Sequence, residues 1–240
     1  MEEARASGYY LEREQKYWKQ LGRLLQSSDK VLPTYLDASP AGQIRDETRQ
    51  EFGRVLSALP FIGGDRNMLT FTLVSSAAAL AYLRVLEGHG LSVAESGQVL
   101  NAVYDDVFRS LPGLVRWWLR RSAFSRSHQN RLRACARQSQ LREYPGDWVM
   151  TYVEGDEETY DFGCDYTECA VLKFYRQMGA EKYMPYVCAM DFTMSRALRT
   201  GLRRTTSLYY GGDCCDFRYK KDQLGQLPLP IEDLPEYRSL

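Results

Sequence analysis

The sequence predicts an α+β protein: an N-terminal helical lobe followed by a lobe of order β-β-α-α-β-β with an antiparallel sheet. Three observations carry this. Apolar residues recur at helical spacing through the first half, β-branched and aromatic residues take over after Pro145-Gly146, and Gly-Asp turns punctuate the second half of the chain.

Tyr10, Tyr17, Leu21, Leu24 and Leu25, with Glu and Lys between them, predict an amphipathic helix from Tyr9 to Ser27, and Asp37, Ser39 and Pro40 mark a break. Ile44, Thr48, Phe52, Val55 and Leu59 predict a second helix ending at Pro60, with a turn at Phe61-Ile62-Gly63-Gly64-Asp65. A third begins near Arg66 and stops at Gly88-His89-Gly90, where glycine supplies the left-handed geometry of a helix end. Its apolar stretch, Met68 to Leu86, approaches membrane-spanning length but carries Thr70, Thr72, Ser75, Ser76 and Arg84, as a buried core helix does. Ser92 and Glu95 form a capping-box pattern opening a fourth helix, Val99 to Leu111, that ends at Pro112.

Trp148 to Val153 reads as a strand, Gly155-Asp156 as a turn, and Thr159 to Phe162 as the returning strand. Helices at Glu168–Met178 and Tyr183–Leu198 come next, then strands at Arg203–Tyr210 and Asp216–Tyr219 around Gly211-Gly212-Asp213. Leu227 onward, with Pro228, Pro230 and Pro235, has no periodic pattern and is expected to lie over the surface. The expected organisation is 1–143 helical lobe, 144–226 α+β lobe carrying the site, and 227–240 Pro-rich tail.

A chain of 240 residues with 44% apolar and 26% charged side chains has the makeup of a folded soluble protein, which excludes a disordered or collagen-like chain. Its 31 basic and 31 acidic side chains cancel, so no bulk field draws it to nucleic acid or membrane; the expected partner is a small-molecule substrate, with a homodimer left open. Met1-Glu2-Glu3-Ala4-Arg5 lacks a signal-peptide pattern, the expected location is cytoplasmic, and the six cysteines are expected as thiols. Charge is segregated locally: nine arginines and no acid from Val107 to Arg142, then nine acids and no Lys or Arg from Glu143 to Leu172. This is either an Arg-rich face for an anionic ligand or two segments that complement each other within the fold.

Five of the six cysteines fall between Gly163 and Asp216, which marks the second lobe as the place to look for chemistry. Cys169 and Lys173 share a helix face, as do Cys188 and Asp191. A thiol becomes a nucleophile as its thiolate, favoured beside a cation or at a helix N-terminus, and Cys169 has both at hand; a buried, inert thiol is the plain alternative. Asp191 lies in an otherwise apolar segment and is a general-base candidate, unless it serves in a salt bridge with Arg203, Arg204 or Arg218; Asp216 has the same two readings. No cofactor is expected. The alternative is a metal held by Cys169, Cys188 and Cys215, although no C-x-x-C pair is present and His89 and His128 lie in the helical lobe as surface or capping residues. No nucleotide-binding or G-x-S-x-G motif occurs.

The run Cys169-x-x-x-Lys173, Cys188-x-x-Asp191-Phe192 and Arg204-Thr205, leading through Gly211-Gly212 to Cys215-Asp216-Phe217-Arg218, resembles the L-2-amino-thiazoline-4-carboxylate (ATC) hydrolase family. Pro60-Phe61-Ile62-Gly63-Gly64 followed by Asn67 is similar to a second block of that family, so the resemblance spans residues 45–220. It implies a hydrolase that opens a small cyclic C-N/C-S compound, with Cys169, Lys173, Cys188, Asp191 and Cys215 as catalytic candidates and Arg204, Thr205, Asp216 and Arg218 as substrate-binding ones. Two alternatives stay open: a Cys-based metal- or small-ligand-binding domain, and a family member recruited to another reaction in specialised-metabolite biosynthesis.

Overall fold

A computed structural model describes residues 8–36, 40–156 and 158–225. The acidic N-terminal run, the break residues Asp37 and Ser39, and the Pro-rich tail lie outside the described residues. In chain order the elements are α1 (Glu14–Val31), α2 (Ala41–Ser57), α3 (Thr70–Gly88), α4 (Val93–Arg109), α5 (Gly113–Ala123), α6 (Arg126–Ser139), β1 (Val149–Glu154), β2 (Phe162–Glu168), α7 (Ala170–Gln177), α8 (Met184–Leu198) and β3 (Cys215–Tyr219). The fold is α+β, with helices first and a small antiparallel sheet after them.

The chain divides into two compact units that do not follow chain order. Unit one takes the described residues up to Val107 together with Val171–Val187; unit two takes Phe108–Ala170 and the described residues from Cys188 on.

In unit one, α1 buries Tyr17, Leu21, Leu24 and Leu25, and α2 buries Ile44, Thr48, Phe52, Val55 and Leu56, each set recurring at helical spacing. Both pack on α3, which is buried on nearly every side from Leu73 to Leu86. Among the described residues α3 is long and apolar enough to cross a membrane, yet most of it is buried inside the protein, as in a core helix. Its end is closed by Gly90 at φ 92°, where the Leu91 N–H reaches back to the Leu86 carbonyl (3.3 Å). The capping box forms as expected: the Glu95 N–H donates to Ser92 Oγ (3.2 Å) and the Ser92 N–H to Glu95 Oε2 (2.7 Å). Ser92 thereby holds the Glu95 carboxyl below its ordinary value.

The 171–187 segment is tied into unit one by aromatic side chains. Tyr175 donates to the Ser76 carbonyl (2.8 Å), and the ring of Tyr186 lies so close to Gly97 that a Cβ there would meet it at 2.1 Å. Glycine at 97 is thus a packing requirement of α4.

In unit two the sheet order is β1-β2-β3, antiparallel throughout. Two expectations shift. The returning strand begins at Phe162 rather than Thr159, because the Asp156 carboxylate accepts the N–H groups of Glu158, Thr159 and Tyr160 (3.0, 2.7 and 3.1 Å) and so occupies the amides a ladder needs. No strand forms at Arg203–Tyr210 either. Arg203 makes one isolated bridge to Arg218, the next amides are claimed by Asp216, and Leu208–Tyr210 is a 3-10 turn. The second part of the chain is therefore β-β-α-α-β.

The Arg-rich segment folds as α5 and α6, two helices that the sequence pattern alone does not delimit. α6 turns Leu132, Ala136 and Ser139 inward, and the Ser139 hydroxyl contacts both the amide and the carbonyl of Met150 on β1 (3.0 and 3.2 Å). Part of the charge segregation is complementation within the fold, since Arg133 pairs with Glu154 (2.6 Å) and Arg142 with Glu168.

Candidate active site

Strand alternation and register put Met150, Tyr152, Phe162, Cys164, Tyr166, Cys215, Phe217 and Tyr219 on one face of the sheet. Around the β3 end of this face Phe192, Leu202, Cys215 and Phe217 form a core cluster, with Tyr166, Leu208 and Tyr219 packed against it. Into this apolar setting the chain inserts two charges, Asp191 from α8 and Arg204 from the segment before β3.

The Arg204 side chain is 4% exposed and its Nη1 lies 3.6 Å from Asp191 Oδ2. Its guanidinium stands over two rings, 4.9 Å from the centroid of Phe192 and 5.3 Å from that of Phe217, which suits a planar, weakly hydrated cation. At 3.6 Å the pair is an ion pair without a short hydrogen bond, so the forked donors of Arg204 are not consumed by it. The Asp191 side chain is 37% exposed, so its carboxyl is within reach of water. Burial pushes its carboxyl up to about 6 against the opposing pull of Arg204.

Cys188 precedes Asp191 by one helical turn. Burial drives its thiol well above its ordinary value, Arg204 opposes, and Cys169, Asp191 and Cys215 add like-charge pressure. Cys169, Cys188, Cys215, Asp191 and Arg204 thus belong to one unit and lie within electrostatic reach of Cys188. Tyr166 and Tyr219 also sense Asp191, and burial raises both hydroxyls far above the usual phenol value.

The thiols differ in setting. None of the six cysteines is in a disulfide. Cys215 is a core residue whose sulfur accepts the Leu208 N–H (3.3 Å). Cys169 stands between β2 and α7, immediately before the first helical residue. Cys164 is pushed to about 12 and Cys135 to about 11 by burial. Among the described residues no group of three or more His, Cys, Asp or Glu is arranged to hold a metal ion.

The other expected site residues have these surroundings. Lys173 belongs to unit one, on α7. Asp216 accepts the amides of Thr205 (2.8 Å) and Thr206 (2.7 Å) on one oxygen and the Thr205 hydroxyl (2.6 Å) on the other. Burial works against that carboxylate, but the three donors hold it below its ordinary value. Arg218 reaches across the other face of the sheet to Asp165 (2.6 Å) and lies over the Tyr160 ring (5.4 Å). Asp216 thereby fixes the chain just after Arg204. Tyr219 and the two rings around Arg204 were not singled out in the sequence as site residues; the alternation of aromatics along β3 was their signal.

Residues 114–219 match the family described as L-2-amino-thiazoline-4-carboxylic acid hydrolase. This segment is similar to the ATC hydrolase family. The match contains Asp191, Arg204 and the three thiols around them, and it starts beyond the Pro60 to Asn67 block, so the resemblance expected from residue 45 is shown from residue 114. No curated protein and no solved structure resembles the chain closely enough to count as a match. The ATC hydrolase name is that of a hydrolase.

Proposed function

We propose that this ATC hydrolase-like protein opens the ring of a small cyclic amidine or isothiourea that bears a carboxylate, of the 2-aminothiazoline-carboxylate type. The observation that carries the reading is the Asp191 carboxyl, partly exposed, raised to about 6 and 3.6 Å from a buried arginine, within the family-matching segment. A general base works best with a pKa near the operating pH, and the ordinary aspartate value is too low for that.

In this reading Arg204 takes the substrate carboxylate with its forked donors, the rings of Phe192 and Phe217 holding the guanidinium in place. Asp191 removes a proton from water as the oxygen bonds to the electron-poor ring carbon. It then returns that proton to the departing ring atom as the C–S or C–N bond breaks, leaving a carbamoyl product. The Cys188 thiol, which burial keeps neutral, lies one helical turn before Asp191. A covalent route has one observation in its favour: Cys169 sits immediately before the first residue of α7.

The test is ring opening of 2-aminothiazoline-4-carboxylate by the full chain and by Asp191→Asn, Arg204→Lys and Cys169→Ser. Loss in Asp191→Asn by about 10²–10⁴ in kcat supports the base. Full activity in that variant overturns it, and loss confined to Cys169→Ser transfers the chemistry to the thiol.

A further inference from the structure

α5 is turned inside out. Leu114, Trp117, Trp118 and Arg121 follow the i, i+3, i+4, i+7 spacing of a single helix face, and an amphipathic helix of a globular protein ordinarily directs its apolar face inward. Here that face looks outward: Leu114 is 76% and Trp118 59% exposed, Trp117 and Val115 are exposed as well, and no α5 residue is buried. The polar residues point the other way. Arg120 pairs with Asp222 (3.1 Å), and Arg116 Nε is enclosed by protein.

Neither α5 nor α6 contains an acidic residue. Arg121, Arg126, Arg131 and Arg137 are exposed and, among the described residues, have no carboxylate partner. Arg121 also lines an open cavity of about 550 Å³ with Lys221 and with Lys220, which pairs there with Asp161 (3.2 Å). Tryptophan and leucine directed outward among exposed arginines, one of them over the Trp117 ring, are the chemistry of a surface that lies on an anionic bilayer, with the rings at headgroup depth and the guanidinium groups on lipid phosphates. A second copy is a poorer occupant, since two-fold pairing of this face sets Arg121 near its own symmetry mate with no acid on α5 or α6 to offset it. A nucleic acid has the right charge but offers little for Leu114 and Val115 to bury against.

We propose that the outward face of α5, with Arg121, Arg126 and Lys221 at its margin, docks this protein on anionic lipid surfaces. The balanced charge of the whole chain, from which no membrane partner was expected, conceals a local patch that does not balance.

The experiment is co-sedimentation of the full chain with vesicles of equimolar phosphatidylglycerol and phosphatidylcholine, and with phosphatidylcholine alone. Tryptophan emission is read in the same samples. Expected are binding to the anionic vesicles only, a blue shift, and weakening by salt. Arg121→Gln and Arg126→Gln should each lower the affinity about fivefold, and Trp117→Ser/Trp118→Ser should remove the blue shift and most of the binding. Both tryptophans are exposed, so an unchanged melting temperature is expected; Leu114→Gln repeats the test on a third side chain. Absence of binding to anionic vesicles, equal binding to neutral ones, or undiminished binding by the Trp and Leu variants overturns the proposal. So does a dimer that these variants dissociate, or an RNA affinity that they abolish.

Discussion

The Arg204 guanidinium and the Asp191 carboxylate stand 3.6 Å apart, and the arginine is the more deeply buried of the two. The pair is unequal: Arg204 is held by two aromatic faces, whereas Asp191 has the opening to water. Charge on Asp191 is therefore a cost the fold carries, because burial outweighs the attraction of Arg204.

That inequality makes Asp191→Asn informative. A carboxyl raised to about 6 is better accommodated neutral than ionised, so an uncharged isostere is expected to melt at the same temperature as the native chain or higher at pH 7.5, while ring opening is lost. Paired thermal melts and rate assays check this, and a strongly lowered melting temperature counts against it.

The pH dependence comes from the same group. The folded state binds more protons than the unfolded one between the ordinary aspartate value and about 6, so the Asp191 contribution to stability is full below that range, declines as pH rises through it, and is level above. Activity runs the opposite way: kcat/KM is expected to rise through about pH 6 and flatten, as a base must be ionised to work. A rate profile flat from pH 5 to pH 8 rejects Asp191 as the base.

Arg204→Lys keeps the charge but loses the fork and the flat contact with Phe192 and Phe217. KM for a carboxylate-bearing substrate is expected to rise about tenfold or more, the loss of a charge-assisted pair, with a smaller effect on kcat. The corresponding substrate without its carboxylate should not distinguish the two proteins.

Asp216→Ala strips three donors on Thr205 and Thr206 of their acceptor. These groups are partly exposed, so the expected cost is about 1–2 kcal/mol in denaturant unfolding. Activity should fall as well, because the chain just after Arg204 loses its anchor.

Gly97→Ala forces a methyl group into the Tyr186 ring. Overpacking of this kind costs about 1–3 kcal/mol, and Gly97→Ala/Tyr186→Leu is expected to recover part of it.

The helices of unit one were legible because their apolar residues keep a helical period and their ends carry recognisable chemistry, as at Ser92, Glu95 and Gly90. The hairpin was legible in type and shifted in position, since nothing local announces that Asp156 gathers three amides. α5 was harder to read: its apolar stripe faces outward, and its arginines obscure it. At the site, Asp191 stood out as an acid in an apolar segment, and the cysteines as a cluster. What stayed hidden was tertiary: the rings that hold Arg204 and the deep burial of the Tyr219 hydroxyl. Asp216 and Arg218 read as ligand-binding residues, and the structure gives each a partner within the fold.

The weaving of the chain between its two units has a consequence for anyone trimming the gene. A fragment cut at the family boundaries, 114–219, carries Tyr175 and Tyr186 but lacks Ser76 and the notch at Gly97 that receive them. Such a fragment displays sticky aromatic surface in place of a finished core, and on the ribosome the same residues must wait for no later sequence, because their sockets have already been made.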